Sequence, residues 1–186
     1  MPSKNGAFGV GLVGTGWVAA SHVRAFQANP QTRLFAMCGR HEARAGATLT
    51  RFGADVAFTR RFQDLLDRPD IDIVAIATPN HLHAEQAVAA ANAGKHFLLE
   101  KPTGLDLREL ARIRRTVRRA QVRTIVSFVL HYDPFVRFAI WMRASGQLGV
   151  IRYARFQYLS RMLEGYSGWS WVRRNDSGRS HLLAAG

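Results

Sequence analysis

The sequence predicts an α/β fold built on a doubly wound, mostly parallel sheet, on three observations. Short apolar strand-like runs alternate with amphipathic or alanine-rich helical runs from residue 8 to about residue 125. One of those runs, Ile71–Ala77, is apolar almost without interruption, as happens when helices cover both faces of a parallel sheet. The first run passes straight into Gly14-Thr15-Gly16 and then into a helical pattern, the form of a tight strand-to-helix turn.

Each element has its own justification. Phe8–Val13 is the first strand, and Val18–Ala28 is a helix that must end before Pro30. Arg33–Cys38 reads as a second strand. Glu42–Phe52 is a helix stopped by Gly53, and Phe62–Leu66 is a short helix. Ile71–Ala77 is a strand, followed by an alanine-rich helix over Asn80–Ala93 with Gly94 just past its end. His96–Leu99 is a strand, Leu107–Gln121 a helix and Thr124–Val129 a further strand. On Leu107–Gln121, Arg108, Arg112, Arg115 and Arg119 form one face, and Leu107, Leu110, Ile113 and Val117 another.

The pattern then changes. Pro134–Ala144 reads as a helix, and Val150–Leu159 alternates as the opening strand of a more open sheet. Glu164–Gly186, rich in Gly, Ser and Trp, reads as loop. The expected organisation is one doubly wound domain over residues 1–125, with residues 126–186 beginning a second domain.

Composition limits the function classes. The chain has 186 residues, 47% of them hydrophobic, enough for a sizeable core. No apolar run approaches the roughly 20 residues that span a bilayer. The start, Met-Pro-Ser-Lys-Asn-Gly, has no signal-peptide pattern, and Cys38 is the single cysteine, so a cytoplasmic location is expected. The formal charge is +13, carried mostly by arginine, since Lys4, Lys95 and Lys101 are the only lysines. The arginines are spread along the chain and the aromatics do not interleave with them. The charge therefore reads as codon bias and solvated helix faces rather than as a nucleic-acid surface.

The motifs carry the chemistry. Gly14-Thr15-Gly16-Trp17-Val18-Ala19 has the G-x-G-x-x-G/A form. Its first glycine permits the turn and its second lets the backbone approach a pyrophosphate. Ala19 allows close helix–strand packing. The helix N-terminus offers N–H groups and a positive dipole end to phosphate. The second strand ends Met37-Cys38-Gly39-Arg40-His41, without the acidic residue that holds ribose hydroxyls in NAD sites. Gly39 leaves room and Arg40 offers a planar fork for a 2′-phosphate, which favours NADP over NAD; the other reading is that Arg40 merely lies near adenine or solvent.

Thr78-Pro79-Asn80-His81-Leu82-His83 follows a strand at its carboxyl end, where open α/β sheets bind ligands. It reads either as a wall of the nicotinamide pocket or as a plain helix cap through Thr78 or Asn80. His81 and His83 are two apart and would point to different sides of a helix, so no metal site is expected. Glu100-Lys101-Pro102 follows the next strand. Lys101 there either hydrogen-bonds a substrate hydroxyl and takes its proton, or is a surface lysine before a turn proline.

These segments resemble the Gfo/Idh/MocA family, the glucose–fructose oxidoreductase and inositol dehydrogenase type. The resemblance is carried by Gly11-Leu-Val-Gly-Thr-Gly-Trp-Val-Ala19 with His22 after it, Asp70–His83 and Ala93–Pro102. Tyr132-Asp-Pro134 and Ser145–Gly149 add to it. It implies a Rossmann domain that transfers hydride between NADP, less readily NAD, and a sugar, polyol or similar hydroxyl or carbonyl compound. It implies that residues 1–125 are a dinucleotide-binding Rossmann domain, that residues 126–186 begin an α+β substrate and oligomerisation domain the chain does not complete, and that the full-length form is a homo-oligomer. Lys101 becomes the expected catalytic residue, with the Lys101–Pro102 bond often cis. Cofactor contacts are expected from Gly14, Thr15, Gly16, Trp17, Val18, Gly39, Arg40, Thr78, Pro79, Asn80, His83, Glu100 and Lys101.

Two departures stand out. His131 occupies a position where arginine or an asparagine-type residue is common. Ser177–Gly186 resembles the run toward the helix that carries the family's catalytic histidine, and the chain ends there. His181 lies too early for that role. A non-catalytic NADP-binding or regulatory protein is the alternative reading, and a basic nucleic-acid binder a more distant one.

Overall fold

The computed structural model of the protein describes residues 6–53 and 56–157. Six parallel strands form one sheet: β1 (Phe8–Val13), β2 (Thr32–Cys38), β3 (Ala57–Thr59), β4 (Ile73–Ile76), β5 (His96–Leu99) and β6 (Thr124–Val126). Their order across the sheet is β3-β2-β1-β4-β5-β6. The chain winds outward from β1 to one edge, returns, and winds outward from β4 to the other, so the switch point lies between β1 and β4. Each crossover is helical, as parallel neighbours require.

The helices are α1 (Trp17–Ala28), α2 (Glu42–Arg51), α3 (Phe62–Leu66), α4 (His83–Asn92), α5 (Leu107–Ala120) and α6 (Pro134–Ala144). Alternate strand residues feed two apolar cores, one on each face of the sheet. Val10 and Leu12 of β1 and Ala75 of β4 pack with Ala19 and Val23 of α1 and Ala45 and Leu49 of α2. Val74 and Ile76 of β4 and Phe97 and Leu99 of β5 pack with Leu65, Ala87, Ala91 and Ile113 from α3, α4 and α5. β1 and β4 thus bury both faces, which is why their sequences are apolar throughout.

Several expected elements change. β3 was not anticipated. It is three residues long at the sheet edge, too short for a period-2 signal. The expected helix from Asn80 begins as a 3-10 turn over Asn80–Leu82, and α4 starts at His83. Strand β6 stops at Val126, and Val129–Tyr132 is a second 3-10 turn. The face expected from Leu107, Leu110, Ile113 and Val117 docks only through its second half. Ile113 and Thr116 are buried, whereas Leu107 is 82% exposed and Leu110 is also exposed. Residues 150–157 form no strand, despite their alternation. The remainder of Val150–Leu159, the expected loop Glu164–Gly186 and His181 lie outside the described residues.

Candidate functional site

The expected site residues come from the carboxyl ends of four adjacent strands, centred on the switch point. Gly14 follows β1, Gly39 follows β2, Thr78 follows β4 and Glu100-Lys101 follows β5. Backbone hydrogen bonds carry the ladder past the strands and hold these ends in register. Gly14 N donates to Cys38 O at 2.8 Å, Ala77 N to Val13 O at 2.8 Å, and Glu100 N to Ile76 O at 2.9 Å.

The turn after β1 needs its glycine. Gly14 has φ +116°, and a Cβ there would overlap the Ala77 carbonyl oxygen. The β1 turn and the β4 end therefore meet backbone to backbone. Gly16, the N-cap of α1, has open space where a Cβ would project. No side chain caps α1, and its first turn holds no acidic residue. The helix keeps its positive end uncompensated by its own side chains, which suits an anion. Thr15 lies against Gly39, where a Cβ would strike its Cγ2. Arg40 and Trp17 are exposed beside this cradle, and Val18 is half-buried.

Thr78 and Asn80 do not cap the following helix. The Thr78 hydroxyl instead donates to the Gln86 Oε1 at 2.6 Å. Asn80 is buried, and its Nδ2 has no hydrogen-bond partner among the described residues. A buried amide without a partner is costly unless a ligand or water serves it. His81 is exposed and His83 is buried, so the two rings do point apart. The ring of His83 lies between two main-chain carbonyls: Nδ1 is 2.7 Å from Pro102 O and Nε2 is 2.9 Å from Thr78 O. Burial pushes its pKa below the usual histidine value, against the opposing pull of those carbonyls.

Lys101 is exposed at the end of β5, and its bond to Pro102 is cis, as the resemblance implied. The carboxylate of Glu100 faces inward, with Oε1 3.0 Å from His22 Nε2 on α1. Burial pushes the Glu100 carboxyl up. Hydrogen bonds from the His22 and Ser127 side chains act the other way, and the net result lies below the usual carboxylate range. Residue types at motif spacing identified Glu100 but not its partners, His22 and Ser127. The signal for His22 was present: it is a polar residue on the buried stripe of α1, between Ala19 and Val23.

The residues present fit a dinucleotide. An uncapped helix start behind an open glycine would take the pyrophosphate. The buried, unpartnered Asn80 amide and the exposed Lys101 follow β4 and β5, on the β4 side of the switch point, where the reacting end would lie.

Known proteins share this architecture. The chain is 34% identical to levoglucosan dehydrogenase from Pseudarthrobacter phenanthrenivorans over 160 residues, 81% of this chain and 40% of that enzyme. A solved structure of levoglucosan dehydrogenase with NADH and levoglucosan superposes with a TM-score of 0.71 at 32% identity, covering 77% of this chain and 40% of that one. Biliverdin reductase from Synechocystis, solved with biliverdin and NADP+, gives a TM-score of 0.65 at 31% identity, covering 74% and 42%. Those complexes hold different nicotinamide dinucleotides. The chain spans less than half the length of the curated relatives it matches. The model of the oxidoreductase family with an NAD-binding Rossmann fold matches residues 8–128, and the chain belongs to that Gfo/Idh/MocA family.

Proposed function

We propose that this chain is the cofactor-binding part of an NADP-preferring oxidoreductase acting on a sugar, polyol or related hydroxyl or carbonyl compound. The observation that carries the reading is that the Gly14–Gly16 cradle, Asn80 and Lys101 stand at the carboxyl ends of the adjacent strands β1, β4 and β5. When bound, the dinucleotide supplies the hydride acceptor or donor.

The chain's own residues bind, orient and handle a proton. Gly14, Thr15 and Gly16 bring main chain to the pyrophosphate, with Trp17 and Val18 at the start of α1. Asn80 offers its buried amide to the nicotinamide end, with Pro79 and Thr78 as the adjacent wall. Lys101, as the neutral amine, would take the substrate hydroxyl proton during oxidation and, as the ammonium, would return it during reduction. Gly39 and Arg40 set the preference for NADP: Arg40 is exposed at the end of β2, where its guanidinium can form paired hydrogen bonds with a 2′-phosphate. The levoglucosan and inositol dehydrogenases among the relatives support the substrate class.

The test is a parallel titration with NADPH and NADH, followed by tryptophan fluorescence, on wild type and Arg40→Ala. Saturable binding favouring NADPH is expected. The variant should lose about tenfold for NADPH, the scale of one charge-assisted hydrogen bond, and little for NADH. Equal affinities in wild type overturn the NADP preference, and no binding of either overturns the cofactor reading.

A further inference from the structure

His83 is the first residue of α4, yet its ring reaches two loops that sequence keeps apart. Nδ1 is 2.7 Å from the carbonyl of Pro102, just past β5, and Nε2 is 2.9 Å from the carbonyl of Thr78, just past β4. The side chain is almost fully buried. Its two ring nitrogens are directed at main-chain carbonyls, so its chemistry faces the scaffold rather than a ligand.

We infer that His83 is a positioning residue, a clamp that fixes the Lys101–Pro102 segment against the Thr78–Asn80 loop. This differs from the direct cofactor contact that the motif position led us to expect of it, and it rests on the cofactor reading above. The argument is one of leverage. Lys101 is exposed and stands one residue before the clamped carbonyl. Asn80, with its unpartnered amide, stands two residues after the other. A neutral ring donates through one nitrogen only, and the shorter contact is to Pro102. Removing the ring frees the carbonyl it bonds and leaves a gap beside the other. The strand ends remain hydrogen-bonded to each other through Glu100 N and Ile76 O, so the sheet survives while the loops loosen.

The test combines amide hydrogen exchange with NADPH titration on wild type, His83→Ala and His83→Gln. In His83→Ala, exchange should rise at residues 78–82 and 101–104 and stay unchanged in β1 and α1. The NADPH Kd should rise about tenfold, the scale of one lost hydrogen bond. His83→Gln, whose amide can still donate to a carbonyl, should lie between the two. It also serves if the alanine variant fails to fold.

Unchanged exchange in both loops overturns the clamp. So does loosening spread through the whole sheet, the mark of an ordinary core residue. Exchange confined to the loops with NADPH affinity intact overturns the positioning role. If wild type binds no dinucleotide, the cofactor reading falls separately, and the exchange pattern alone decides whether the ring clamps the two loops.

Discussion

At the scale of single residues, the two glycines of the turn separate folding from binding. Gly14 combines a positive φ with a backbone carbonyl where its Cβ would go, and neither can yield. Gly14→Ala should therefore cost at least about 2 kcal/mol, read as a lower urea midpoint. Gly16 has ordinary dihedrals and open space. Gly16→Ala should change stability by less than about 1 kcal/mol but weaken NADPH binding, because the methyl enters the phosphate approach. Equal effects of both variants on the urea midpoint would contradict this division.

Cys38 gives a chemical check. Burial, aided by Asp64, pushes its thiol up to about 11, so the folded chain should resist thiol reagents at neutral pH and react only on unfolding. His83 gives a pH check. Burial holds its folded pKa below the ordinary 6.5, with Glu100 and His81 as the charged or titratable groups that also act on it. Between those two values the unfolded chain binds a proton that the folded chain refuses. Stability should then fall as pH drops below about 6.5 and level off beneath the folded pKa. Urea midpoints across this range should lose that component of the slope in His83→Gln.

At the scale of elements, α5 shows how local chemistry sets a boundary. Asp106 accepts a hydrogen bond from Glu109 N at 2.8 Å, and the Glu109 carboxylate accepts one from Leu105 N at 2.6 Å. This reciprocal cap fixes the helix start just after Lys101–Pro102. Asp106→Ala should cost about 1 kcal/mol in a denaturant titration, with NADPH affinity nearly unchanged.

The same helix shows what sequence can and cannot convey. Periodicity assigned four apolar residues to one stripe, but the length of the partner decides how much is covered, and only Ile113 and its neighbours meet α4 and the sheet. The β1 turn was legible because its glycines, strand and helix act over a few adjacent residues. The carbonyl clamp on His83 and the His22–Glu100 pair were not, because their partners are 19 and 78 residues away. Alternation at residues 150–157 predicted a strand, yet a strand forms only where another backbone offers a ladder. None does so among the described residues.

At the scale of the whole molecule, the two halves of the described chain differ in what they bury. The sheet and its five flanking helices enclose two cores. Beyond β6, α6 buries none of its residues. Phe135 is 80% exposed and Phe156 94%, with Phe128, Phe138 and Trp141 also exposed. Covering one such side chain fully is worth about 1.5–3 kcal/mol, so burying several of them favours association. The +13 formal charge opposes it by mutual repulsion. Added salt screens that repulsion while leaving the apolar attraction in place. The purified chain should therefore self-associate with concentration, and more strongly at higher salt, in sedimentation-velocity runs. Association driven by ion pairs or by bound nucleic acid would show the reverse salt dependence. Phe135→Ser with Phe138→Ser should shift the population toward monomer while leaving NADPH affinity unchanged, since neither residue lies at the β1–β4 switch point. A monomer at every concentration and salt tested would show that this apolar surface does not drive association of the chain.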